Sequence, residues 1–389
     1  MTLDVAATTI ELGEDREASI SRGFRASKRD VGVELARIIA CLIVIGCHTV
    51  LPFNVDGSPR FYRLLVSCIF GDGVAIFFLI YGCFAFRSKI SYTRLLTRMV
   101  RTILAPLALV SLFGFFVIQP IADGKSLSTA FDPEGLKNAI KVLMTWDNPV
   151  GTFIHLWYLY VYALLVVVQP LNKAIAKYLD EGTGRWGTFL GMTLAVLILN
   201  DVTSNRLLVF SHHTIAGLIP ASLFALWGHY LYSRRDRFYK VPPVGYLLLF
   251  VALNLVRAWL LKRGLVVDGS HTHLLFWYSA FGLLCAICMM GFSLTVVSQT
   301  EGRGPSAIRA LASLTFGVYL LHIAVVRVFD LLGFRQALQA LFLIPEAGFF
   351  GYCAYMLALI FCVAIAASVG VLVYRGLKGL VGRVSVSAG

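Results

Sequence analysis

The sequence predicts an all-α, polytopic integral membrane protein with about ten transmembrane helices and both termini cytoplasmic. Three observations carry that reading. Of 389 residues, 58% are hydrophobic and 14% charged, and the mean hydropathy is +0.78, a balance that excludes a soluble globular domain. Apolar runs of about 20 residues, the length that crosses a bilayer, recur along the chain, and their continuity excludes a barrel of short alternating strands. Finally, 22 of the 34 Lys and Arg fall in segments that ten spans would place on the side of the N-terminus, which the positive-inside rule identifies as the cytoplasm.

In chain order, residues 1–30 are polar and charged and read as a flexible cytoplasmic tail. No small-residue cleavage site follows the first apolar run, so that run reads as an uncleaved anchor. Spans are expected near 33–52, 69–87, 99–119, 153–171, 187–201, 214–232, 243–262, 272–298, 308–330 and 347–374. The third is interrupted by Pro106 and the fifth is short. The membrane domain is therefore 31–376, and 377–389 is a cytoplasmic C-tail. Loop 120–152 faces outward. It carries Leu136, Ala139, Ile140 and Leu143 at i, i+3, i+4 and i+7, the pattern of an amphipathic helix on the outer interface. No internal repeat is visible. The net charge of +13 reflects the cytoplasmic loops rather than nucleic-acid binding, since no nucleic-acid motif accompanies it. Most of the eight cysteines lie inside apolar runs. Cys285 and Cys288 form a C-x-x-C without the rest of a zinc ligand set, so neither a metal nor a bound cofactor is expected.

Four motifs carry candidate chemistry. The first is "RIIACLIVIGCH", where Arg37 and His48 stand 11 residues apart. At 100° per residue that is within roughly 20° of three full turns, so both lie on one helix face, about 16 Å apart along the axis. Glu34, three residues before Arg37, is placed to pair with it. Arg37 reads either as a snorkelling anchor or as a functional cation. His48 reads either as a cavity-lining group or as a packed core histidine. The second motif is Arg94, Arg98 and Arg101 at i, i+4 and i+7. This is either cytoplasmic charge bias or a guanidinium fork for phosphates, such as those of coenzyme A. The third, "HLWYLYVYALL", puts His155, Trp157, Tyr158, Tyr160 and Tyr162 at the outer mouth of a span, as an interfacial aromatic belt or a sugar-stacking entrance. In the fourth, "GVYLLH", Tyr319 and His322 share a face mid-span, in a cavity or in core hydrogen bonds.

Taken together and in this order, "ELARIIACLIVIGCH", "RMVR", "HLWYLYVYALL" and "GVYLLH" resemble the acyltransferase-3 family of bacterial integral membrane acyltransferases over about residues 30–376. Among its members the chain is most similar to the O-acetyltransferases that act on enterobacterial common antigen and O-antigens. One departure is Tyr81 in "FFLIYGC", where the family commonly has Ser. The resemblance implies transfer of an acyl group, most often acetyl, from cytoplasmic acyl-CoA as co-substrate to a hydroxyl of a surface glycan or lipid-linked sugar, at the bacterial inner membrane. His48 would serve as general base, with Glu34 and Arg37 beside it as catalytic residues. Arg37 would orient the donor or stabilise the oxyanion. Arg94, Arg98 and Arg101 would hold acyl-CoA, and His155, Trp157, Tyr319 and His322 would line the acceptor cavity. Whether a covalent acyl-histidine forms stays open. The alternative is a transporter or flippase of lipid-linked sugars, although the two related halves common in transporters are not visible.

Overall fold

The computed structural model describes residues 30–52, 54–55, 58–126, 128, 133–144, 155–203, 215–263, 276–298, 304–344 and 348–387. Residues 1–29 of the expected tail lie outside the described residues. Apart from a two-residue antiparallel ladder, Asn54–Val55 with Ser58–Pro59, the regular structure is helical. The first helices are α1 (Val31–Thr49), α2 (Phe61–Ile69) and α3 (Gly73–Ala85). They are followed by α4 (Tyr92–Met99), α5 (Ala105–Phe113), α6 (Gln119–Ala122) and α7 (Pro133–Met144). Next come α8 (Trp157–Val167), α9 (Gln169–Asp180), α10 (Arg185–Val202), α11 (Ile215–Ser233) and α12 (Arg235–Phe238). The chain closes with α13 (Pro243–Lys262), α14 (Ala280–Ser298), α15 (Gly304–Ala312), α16 (Thr315–Leu331), α17 (Phe334–Leu341) and α18 (Gly348–Ser387).

Among the described residues, six helical runs are long and apolar enough to cross a membrane, or eight if each of two bent pairs is one span. The expected spans at 187–201 and 214–232 appear as α10 and α11, of 18 and 19 residues. Polar residues such as Asn200, Asp201 and His229 set these two apart from the six.

Prolines locate the irregularities. Between Tyr92 and Ala122 the helix widens into π turns at Val100–Leu104 and Gly114–Ile118. Pro106 and Pro120 follow. A proline offers no N–H and crowds the carbonyl four residues back, here residues 102 and 116, both inside the π turns. Pro170 stands at the 64° bend between α8 and α9. As a result, residues 172–180, expected as part of a cytoplasmic loop, continue as helix α9. The pair α15–α16 is bent by 55°.

The centre of the bundle is built from α1, α3, α11 and α14. Its close approaches are written in glycine. A methyl on Gly82 would overlap the Ala225 carbonyl, and one on Gly228 would overlap the Leu79 carbonyl, so α3 and α11 touch backbone to backbone, as small residues permit in membranes. Gly73 likewise brings α3 onto Ala40 and Val44 of α1. On the outside, Leu109, Leu248, Phe350 and Phe361 are exposed and form the apolar faces that suit lipid. Asp30 caps α1, accepting from the backbone N–H groups of Gly32 and Val33 at 3.0 and 3.3 Å. Its second oxygen accepts from the Tyr232 hydroxyl and Arg235 Nη1 at 2.9 and 3.0 Å, which ties the start of α1 to α11 and α12. The amphipathic stretch of the long loop is α7. Leu136 and Ile140 are exposed on it, and Ala139 is packed inward.

Candidate functional site

Helix α1 carries both ends of the site. Near its start, Arg37 Nη1 donates to Glu34 Oε2 at 2.7 Å, and the Glu34 side chain is 5% exposed against 29% for Arg37. Near its end, Cys47 is exposed and His48 partly exposed, while Ile45 and Thr49 on either side are buried. One face of this helix end therefore opens onto a recess and the other is dry. The unbroken helix from Val31 to Thr49 preserves the single Arg37–His48 face expected from the spacing.

Two further histidines converge on His48. His155 sits just ahead of α8, and His322 projects from α16. Ring centroids lie 5.9 Å apart for His48–His155, 5.4 Å for His48–His322 and 4.5 Å for His155–His322. His322 Nδ1 lies 2.7 Å from the Tyr319 carbonyl oxygen. A carbonyl only accepts, so Nδ1 carries the hydrogen and Nε2 presents a lone pair. That Nε2 is buried and has no hydrogen-bond partner among the described residues. Tyr319, one turn back, donates its hydroxyl to the His155 carbonyl, locking α16 to the entry of α8.

A column of rings joins this cluster to the other end of α1. Tyr319 packs on Tyr158 at 5.6 Å, and Tyr158 on Tyr162 at 5.9 Å, with Phe77 5.6 Å from Tyr158. Tyr162 in turn lies within electrostatic reach of both Arg37 and Arg98. The column thus spans the distance along α1 between the arginine end and the histidine end. Arg98 approaches it. Arg94, Arg98 and Arg101 are all exposed, and among the described residues no interaction joins Arg94 or Arg101 to the column. Trp157, two residues after His155, is stacked on Trp277 at 5.8 Å and 17°.

Tyr81 has a structural use. Its hydroxyl donates toward the Leu165 carbonyl at 3.3 Å and Gln169 Oε1 at 3.0 Å. Gln169 Nε2 donates to the Ala85 carbonyl at 2.7 Å. The pair holds the α8–α9 bend against the end of α3, and the Tyr81 ring lies 5.2 Å from Tyr162.

Sequence reasoning missed a buried ion pair next to the site. Arg257 Nη1 donates to both carboxylate oxygens of Asp72, at 3.0 and 2.8 Å, with side chains 0% and 1% exposed. Both charges act electrostatically on Cys47, the neighbour of His48. Arg257 lies inside α13 and in the protein core. The signal was available: a charge in the interior of an apolar span marks a partner or a function. Among the described residues, no three His, Cys, Asp or Glu side chains are placed to hold a metal ion.

The family model described as an acyltransferase domain, that of the acyltransferase-3 family, matches residues 30–372. No curated protein and no solved structure matches the chain significantly.

Proposed function

The chain belongs to the acyltransferase-3 family and is a membrane acyltransferase; from that premise we propose that it moves an acyl group, most often acetyl, from cytoplasmic acyl-CoA to a hydroxyl of a cell-surface polysaccharide or its lipid-linked precursor. One observation carries the reading. Three histidines meet at one end of α1, a Glu34–Arg37 pair with Arg98 nearby occupies the other, and a tyrosine column connects them.

In this reading α10 and α11 also cross the bilayer. That makes ten spans with both termini on the cytoplasmic side of a bacterial inner membrane. The phosphates of acyl-CoA lie against Arg94, Arg98 and Arg101, and the thioester arm follows the column toward His48. His48 takes the proton of the acceptor hydroxyl as the oxygen attacks the thioester carbonyl. The C–S bond then breaks, and the protonated imidazole returns its proton to the leaving thiolate. Arg37, oriented by Glu34, holds the donor.

The test uses purified protein in lipid nanodiscs with acetyl-CoA and a glycan acceptor. Acceptor-stimulated release of free CoA is expected, and its loss in His48→Ala with unchanged folding. Normal glycan acetylation by His48→Ala refutes the mechanism. Glycan translocation without CoA turnover would instead make the protein a flippase.

A further inference from the structure

Beyond the histidines lies a second polar cluster at the end of α10. Asn200 is 0% exposed, and among the described residues both its amide oxygen and its amide nitrogen lack a hydrogen-bond partner. It shares the inward face of α10 with Thr193 and Leu197, 3% and 0% exposed. Asp201 Oδ2 accepts from the backbone N–H of Ala280 at 2.9 Å, which places the end of α10 against the turn that precedes α14. Its other oxygen, Oδ1, is buried and has no partner among the described residues. The same holds for the indole N–H of Trp277 on that turn. Four unmet polar atoms, three at the end of α10 and one on the turn that Asp201 contacts, far exceed the usual rate, because a buried polar group without a partner is costly.

This cluster adjoins the ring column of the site. Trp277 stacks on Trp157, two residues from His155, and lies 4.9 Å from Phe78, which packs on Tyr158 at 5.1 Å. The charge balance is informative. Among the described residues, the cation acting on Asp201 is Arg257, which is held by Asp72 at 2.8 Å. These residues leave no uncompensated positive charge on the cluster, which makes it a poor seat for a phosphate or carboxylate. Amide, carboxylate and indole N–H beside a tryptophan wall supply both donors and acceptors next to an apolar ring face. That is the complement of a pyranose, with its hydroxyls and its C–H face.

We infer that Asn200, Asp201 and Trp277 form the acceptor subsite and that it takes an uncharged glycosyl residue. The inference rests on the acyl-transfer reading above and adds to it the class of the acceptor.

The decisive variant is Asn200→Leu in the full chain, in nanodiscs. Replacing an unpartnered buried amide by an apolar group of similar size holds or raises stability, so folding survives. The probes are the short-chain alkyl glucoside, galactoside and N-acetylglucosaminide, with the alkyl glucuronide and glucose 1-phosphate as anionic counterparts. The expected result is CoA release stimulated by a neutral glycoside, with its KM raised about tenfold or more in Asn200→Leu. The acetyl-CoA KM stays unchanged and the melting temperature is equal or higher. Trp277→Phe, which keeps a ring but loses the N–H, is expected to shift the acceptor KM in the same direction. Preference for the anionic probes, no stimulation by any neutral glycoside, or an acceptor KM unmoved by Asn200→Leu overturns the subsite. Failure of the wild type to bind acetyl-CoA would instead overturn the acyl-transfer reading itself, so the two failures are distinguishable.

Discussion

Removing one partner of the Asp72–Arg257 pair is expected to destabilise the protein by about 3–5 kcal/mol. The side chains are 1% and 0% exposed, and the two short bonds are 2.8 and 3.0 Å. Two unit charges about 4 Å apart attract by about 4 kcal/mol at an effective dielectric of 20, against about 1 kcal/mol in water. With the carboxylate gone, Arg257 retains longer bonds to the carbonyls of Cys68 and Phe276, at 3.4 and 3.5 Å, and these do not neutralise a charge. Asp72 flanks the start of α3 but makes no side-chain cap bond, so no capping energy is lost with it. A contrast comes from Lys177–Glu181, whose side chains are 79% and 58% exposed; breaking that pair should cost about 0–1 kcal/mol. The assay is a double-mutant cycle of Asp72→Leu, Arg257→Met and the double variant, read by reversible denaturation of the solubilised protein. Each single variant should lose stability strongly, and the double should lose less than either, because no orphaned charge remains. Singles within about 1 kcal/mol of wild type, or a double as costly as the sum of the singles, would refute the assignment of a desolvated pair.

Two further outcomes follow from the packing and the arginine face. Gly228→Ala should cost about 1–3 kcal/mol or more, because the new methyl meets the Leu79 carbonyl at the α3–α11 crossing. Gly191→Ala on α10, where nothing lies within 4 Å, should be neutral or stabilising by up to about 1 kcal/mol; equal effects at the two sites in the same unfolding assay would argue against that crossing. Combined Arg98→Ala and Arg101→Ala should raise the KM for acyl-CoA about tenfold or more, given about 1.5–3 kcal/mol per bond to a charged group, with the acceptor KM unmoved. Unchanged acyl-CoA affinity in equilibrium binding would remove phosphate recognition from these residues.

Much of the site lay on one helix, and that part was legible. The Glu34–Arg37 pair and the placement of Arg37 and His48 on one face follow from helix periodicity alone, and the structure holds them as the spacing requires. The pairing of Tyr319 with His322 on one face is of the same kind. Even the site of helix irregularity near Pro106 could be read, because a missing N–H and a crowded carbonyl are local facts. Trp157 was grouped with His155 by sequence proximity; its stack on Trp277, a residue remote in the sequence, was not visible. Tyr81 stood out as a departure, but its use, bonding Gln169 across the α8–α9 bend, was not visible.

By itself, then, the sequence determined the helical membrane class, the local faces and the order of the motifs. These depend on hydrophobicity and on a period of 3.6 residues, both properties of short stretches of chain. Tertiary structure alone decided that His155 and His322 close on His48, that Asp72 meets Arg257, and that Asp201 meets the turn carrying Trp277. Each of these joins residues remote in the sequence, and each depends on how closely helices approach. Glycines such as Gly73, Gly82 and Gly228 set that approach by what their missing side chains allow, and no periodicity records which helix lies on the other side.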